Sequence, residues 1–300
     1  MKNEAFELVG PDYRPMEKTD ITLARGRLKR LKGVPFAAAG LLAVIVLGCV
    51  FCEAVMNHDP TYMDLANRAA PPDSRFYFGT DMMGRDIFSM IWYGGRISLF
   101  IGLAATALST LIAVVYGSIS GLSSEWVDDG MMRLTEIILS IPSILIVIFI
   151  QAIIGQTGPL TIAFVIGVTS WMNISKIVRS EVRQIRNADY ILAAKTMDGD
   201  FFYILRRHLL PNFVSSIMFM VVTNIGAAIG TEATLSFLGI GLPVEIISWG
   251  SMLSNADQAL LSNDWWIILI PGLFLVVTLV CITDIGNYIR KRNNRGMREI

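Results

Sequence analysis

The sequence predicts an all-α polytopic membrane protein with six transmembrane helices. Three observations carry this. The chain of 300 residues is 53% hydrophobic and only 17% charged, against about 25% charged in an ordinary soluble domain. Its apolar runs approach or exceed the roughly 20 residues a helix needs to cross a hydrocarbon core. Lysine and arginine gather in three separated segments, which six crossings would place on one side.

Taken in order, residues 1–34 are polar and end in the basic run Arg25, Arg27, Lys29, Arg30 and Lys32. They read as a cytosolic tail ending on the lipid surface. A cleaved leader fits worse, because the basic run lies far from the start and the next apolar run is too long. The membrane domain is expected over 35–290, with spans at Pro35–Met56, Ile97–Leu122, Met132–Ile154, Leu160–Val178, Phe213–Leu238 and Trp265–Ile289. Pro142 should kink the third, since it removes a donor and crowds the preceding turn. A polar island at 179–212 separates spans four and five, and 291–300 forms a second basic tail. Both tails and the island should be cytosolic, and Gly239–Asp264, which has no lysine or arginine, should lie outside. Two segments fit this orientation less well: the acidic link Glu125–Asp129, and the outer loop with Arg68, Arg75 and Arg85.

Several function classes find no support. Formal net charge is zero and the pI is near 6.7, so nucleic acid has no electrostatic claim. Cys49 and Cys52 sit inside an apolar run, without a second ligand pair, and read as buried apolar thiols, as does Cys281. His58 and His208 are far apart and belong to no zinc-hydrolase motif, and no phosphate-cradling loop occurs. The chain is therefore expected to be no enzyme, with no catalytic residue, metal or cofactor of its own. If ATP drives it, the ATPase is another polypeptide.

Within the island, Tyr190–Met197 has helical character, and Ala193 and Ala194 offer a smooth, side-chain-poor patch. Asp198-Gly199-Asp200 should break that helix, with Asp200 capping the next turn. Phe201, Phe202, Ile204, Leu205 and Leu209 then recur at helical spacing up to Pro211. Two short helices around a bend suit being gripped by another protein. The stretch resembles the cytoplasmic loop of binding-protein-dependent ABC importer permeases, whose pattern is Glu-Ala-Ala, three residues, Gly, nine residues, Ile-x-Leu-Pro. Ala193, Ala194, Leu210 and Pro211 fall at that spacing, while Leu192 and His208 depart from it and Asp198 precedes Gly199 at the glycine position.

Two further segments carry the same resemblance. Gly79-Thr80-Asp81, then Gly84-Arg85-Asp86, is similar to a segment of permeases in the dipeptide, oligopeptide and nickel group. On its own chemistry it reads as a turn and helix cap, with Arg85 pairing with Asp81 or Asp86. Glu232 through Pro243, with Gly239 and Gly241 as helix breakers, then Trp249 at the headgroup level, resembles the C-type subunit of those importers. Glu136 and Glu232 are the ionisable residues within spans and stand as candidates for the path or an interface. Glu136 reads as supporting the loosened backbone before Pro142, while Glu232 stays open between path and interface.

The resemblance implies the type I permease architecture in an inner membrane. It implies a second, homologous permease as partner, two cytosolic ATPases holding ATP and magnesium, and an extracytoplasmic binding protein. Small peptides are the expected substrate, passing polar positions such as Thr169, Asn173, Thr223 and Asn224. Nickel or a nickel chelate is the alternative, though soft or imidazole ligands are absent from the expected path. An ion-coupled secondary transporter is a more distant one.

Overall fold

A computed structural model describes residues 35–155, 158–197, 199–243, 245–254 and 256–296. The tail 1–34 with its basic run, Asp198 and the chain end at 297–300 lie outside the described residues. Among those described, the chain is helical without a strand, with one isolated bridge between Thr80 and Asp86.

In chain order, α1 is Phe36–Val50, followed by a single turn at Cys52–Val55. The long loop leads to α2, Ile87–Leu122, of 36 residues. Next come α3, Glu125–Leu139, and α4, Ser143–Ile154, with an 86° bend between them. Then α5, Pro159–Thr169, and α6, Met172–Ile185, meet at 45°. The island holds α7, Asp189–Thr196, and α8, Phe201–Ile204. A π turn at Leu205–Leu209 joins α8 to α9, Leu210–Phe237. After α9 come α10, Trp249–Leu253, α11, Ala256–Ser262, and α12, Trp266–Gly296.

Three helical stretches are long and apolar enough to cross a membrane, Ile87–Leu122, Phe201–Phe237 and Trp266–Arg292, and the count reaches five if each bent pair is one span. The expected sixth rests on α1, whose 15 residues rise only about 22 Å against a core of about 30 Å. The fold is thus a helical membrane protein with three to five candidate spans.

Three boundaries differ from expectation. The helix α2 begins ten residues before Ile97, because Asp86 caps it by accepting from the Ser89 N–H at 2.8 Å. Gly94, Gly95 and Arg96 lower the hydropathy there without ending the helix. Pro142 produces more than a kink: the helix stops at Leu139 and restarts at Ser143. Pro211 ends nothing. It sits in the first turn of α9, directly after the π turn, and the helical run continues to Phe237.

Helices α1, α3, α5, α6, α9, α10 and α12 all pack against α2, whose small residues let backbones approach closely. A Cβ on Gly117 would lie 2.5 Å from the Ser175 carbonyl oxygen of α6, and one on Gly102 would lie 2.5 Å from Ile229 of α9. Near the Leu122 end of α2, Ala113 and Val114 meet Ile174, Val178 and Val182 of α6, with Phe213 and Ile217 of α9. Near the Asp86 end, Ile87, Met90 and Ile91 pack with Ile45 and Cys49 of α1, Trp249 of α10 and Ile267 of α12.

This packing predicts an asymmetry between two glycines. Gly117→Val forces α2 from α6 and should cost about 1–3 kcal/mol, lowering the thermal midpoint of the detergent-solubilised protein. Gly40→Val on α1, where a Cβ meets nothing within 4 Å, should leave the midpoint unchanged.

Candidate functional site

The island folds back onto the bundle. Ile191 and Ala194 of α7 join Ile204, Leu205 and Leu209 in the same buried cluster as Val178 and Val182 of α6 and Phe213 of α9. Asp200 caps α8, accepting from the Tyr203 N–H at 2.7 Å. Gly199 donates its N–H to the Ala194 carbonyl at 2.9 Å, and a Cβ there would lie 2.7 Å from that oxygen. Only a glycine closes the bend so tightly. Leu210 and Pro211 open α9. The smooth alanine face expected from the sequence is divided: Ala193 is exposed, whereas Ala194 is turned into the chain's own core. Consecutive helical residues diverge by about 100°, so only one of the two can face outward. The outward surface instead carries Tyr190, Leu192, Met197, Phe202 and Tyr203, with Arg206 and Arg207.

At the other end of α2, Asp81 and Arg85 form a buried pair, Arg85 Nε donating to Asp81 Oδ2 at 2.7 Å. Asp81 Oδ1 also accepts the Met83 and Arg85 N–H groups. Gly84 takes a φ of +75°, and a Cβ there would meet the Asp64 carbonyl. Gly79 also has a positive φ. Thr80 accepts the Ala70 N–H, and its carbonyl receives the Trp266 indole N–H at 3.2 Å. With Asp86 as cap, the segment fixes where α2 and α12 begin.

Glu232 of α9 is fully buried. Its Oε1 accepts hydroxyl hydrogen bonds from Ser236 at 2.9 Å and Ser248 at 2.8 Å, and its Oε2 accepts one from Ser98 at 3.2 Å. The helix ends just beyond it. Gly239, at φ +74°, donates to the Ser236 carbonyl while Ile240 donates to Leu235, satisfying the last carbonyls of α9. Gly241 lies against Ser236, where a Cβ would come within 2.4 Å of its nitrogen. Trp249 is fully buried, its indole donating to the Ile91 carbonyl at 3.0 Å. The ring is enclosed by the protein's own helices.

Glu136 does not support the backbone before Pro142. Its carboxylate faces Arg133 at 3.4 Å, and both side chains are exposed. Of the polar positions expected along the path, Thr169, Thr223 and Asn224 are bonded within the chain, Asn224 to Ser109, while Asn173 is exposed.

The sequence reading missed the ionic clamp at Asp128. This side chain is buried on α3 and receives the Nε and Nη2 of Arg179 together, Nη1 of Arg183 at 2.7 Å, and the Ser120 hydroxyl. It ties α2, α3 and α6 together. A signal existed: arginines four apart on a helix form one face, and Asp128 is one of three acids in the link that fits the charge pattern poorly.

Comparison with known proteins places these features in context. The family model described as binding-protein-dependent transport system inner membrane component matches residues 113–298. The chain is similar to the oligopeptide transport system permease protein OppC of Bacillus subtilis (strain 168), at 35% identity over 290 residues, covering 96% of this chain and 94% of the relative. It is similar to the dipeptide transport system permease protein DppC of the same organism, at 35% over 277 residues, covering 91% and 85%. A putative peptide transport system permease protein of Brucella suis biovar 1 (strain 1330) is 32% identical over 278 residues, covering 91% of each chain.

The clamp yields a prediction. Asp128→Ala leaves two guanidinium groups without their anion and should destabilise the protein by about 3 kcal/mol. Glu136→Ala, which removes only an exposed pair, should cost under about 1 kcal/mol. Thermal midpoints of the two purified variants check the ordering.

Proposed function

The chain belongs to the family of binding-protein-dependent transport system inner membrane components, and from that membership we propose how it works. It is a permease subunit of a peptide ABC importer. The observation that carries this is its 35% identity, across nearly its whole length, to oligopeptide and dipeptide permeases. Nickel is disfavoured by the same observation. The protein is a multi-pass membrane component and a transport subunit rather than an enzyme.

A homologous permease completes the translocation path, two ATPases bind ATP and magnesium at the cytosolic face, and a binding protein delivers peptide outside. Both chain ends and the island lie in the cytosol. The ATPase grips the outward surface of α7 and α8 around Ala193, Tyr190, Leu192 and Phe202. Because Ile191, Ala194 and Leu209 are packed into the core shared with α6 and α9, the hairpin moves with those helices. A loosely attached loop would absorb the motion before it reached the membrane. The helical run from Phe201 to Phe237 carries it toward Glu232. Gly199 forms the bend of this lever, and Asp198 lies outside the described residues.

Three measurements check the reading. In proteoliposomes containing the complete transporter and its loaded binding protein, a labelled tripeptide should accumulate with ATP and persist with a protonophore. Accumulation that the protonophore abolishes would instead indicate ion coupling, and saturable nickel uptake untouched by excess peptide would restore the nickel reading. Ala193→Arg should reduce ATP-driven uptake by at least about tenfold while the chain still assembles, since bulk and charge enter a packed contact. Unchanged uptake would place the ATPase elsewhere. A cysteine replacing exposed Leu261 should react with an impermeant thiol reagent added outside, and one replacing Lys291 should not.

A further inference from the structure

The three hydroxyls around Glu232 share a pattern. Ser98 Oγ accepts the Trp249 N–H at 3.2 Å and donates to Glu232 Oε2. Ser236 Oγ accepts the Leu242 N–H at 3.3 Å and donates to Glu232 Oε1. Ser248 Oγ accepts the Ser251 N–H at 2.9 Å, as the cap of α10, and donates to Glu232 Oε1. Each serine therefore relays one backbone N–H of the segment 239–254 to the same carboxylate. A hydroxyl has one proton to give, so the acceptor at the centre fixes the direction of all three.

The segment so held is also anchored by Trp249, which is buried and donates its indole N–H to the Ile91 carbonyl at 3.0 Å. Two glycines allow its approach: a Cβ on Gly250 would lie 2.6 Å from Ala233 Cα of α9, and Gly241 lies against Ser236. Ile240, just before the first of these anchor points, and Glu245, between them, are exposed. Glu232 thus joins α2, α9 and α10 at one point, and α9 is the helix that begins in the cytosolic hairpin.

We propose that Glu232 is a positioning residue that latches the segment 239–254 in the geometry needed to accept the peptide-loaded binding protein. This rests on the proposed function. It acts through Ser98, Ser236 and Ser248 and need not touch substrate. A glutamine in its place keeps the shape and one acceptor oxygen, but turns its other terminal atom into a donor facing Ser98. At least one relay then loses its acceptor.

The test uses the complete transporter in proteoliposomes, with its binding protein loaded with trialanine. Glu232→Gln should raise the binding-protein concentration that half-saturates ATP hydrolysis by about tenfold, and leave the rate at saturation and the basal rate within about twofold. Hydrogen exchange at the Leu242, Trp249 and Ser251 amides should quicken in the same variant. Ser98→Ala, which keeps the carboxylate and removes one relay, should shift half-saturation in the same direction but less, and carries the test if the glutamine variant fails to assemble. Unchanged half-saturation would overturn the proposal, as would a fall in the saturated rate alone, which would place Glu232 in the path or the coupling. A wild-type transporter that its binding protein does not stimulate would overturn the proposed function instead, while the exchange comparison would still report on the latch.

Discussion

The structure depends on the close approach of α6 to α2. At Gly117 the carbonyl of Ser175 occupies the space where any side chain would stand. Without a hydrophobic drive between helices in lipid, such contact of backbone on backbone is what van der Waals packing can offer. The clamp at Asp128 seals the same junction from the side, its bidentate pairing with Arg179 satisfying a carboxylate that would be costly to bury alone. With α6 fixed on α2, Val178 and Val182 present the apolar surface that receives the hairpin.

That surface turns a short polar island into part of the bundle. Two of its helices are only eight and four residues long, and such lengths are marginal alone. They persist because Ile191, Ala194, Ile204 and Leu209 are buried against helices already in place. The π turn then hands the chain into α9 without a break, so one helical run of 37 residues extends from the hairpin to the Glu232 cluster. In the proposed function one end receives force, and the other holds the segment that accepts the loaded binding protein.

Much of this was legible in the sequence, for a physical reason. Long apolar runs report the bilayer directly, and a proline such as Pro142 reports a weak point, because both depend on neighbours in sequence. The turns at Gly84 and Gly239 were legible likewise, since a left-handed backbone favours that residue. The angle at Pro142 was not, because tertiary packing sets it. Neither was the continuation past Pro211, which needs the π turn before it. Ala193 and Ala194 could be located but not told apart without knowing which side the core lies on. Glu232 could be singled out as costly, but its partner Ser98 lies 134 residues away, and Asp128 meets Arg179 at a separation of 51. No local pattern encodes such meetings.

In the proposed mechanism the hairpin and the bundle move as one body. Spin labels at exposed Met197 of the hairpin end and exposed Leu103 of α2, in the complete transporter, report on this directly by pulsed electron resonance. Rigid coupling gives one narrow distance distribution, with the same mean in the nucleotide-free and the vanadate-trapped states. A shift of several ångströms, or a broad distribution in either state, would show the hairpin swivelling on its own and would contradict the account.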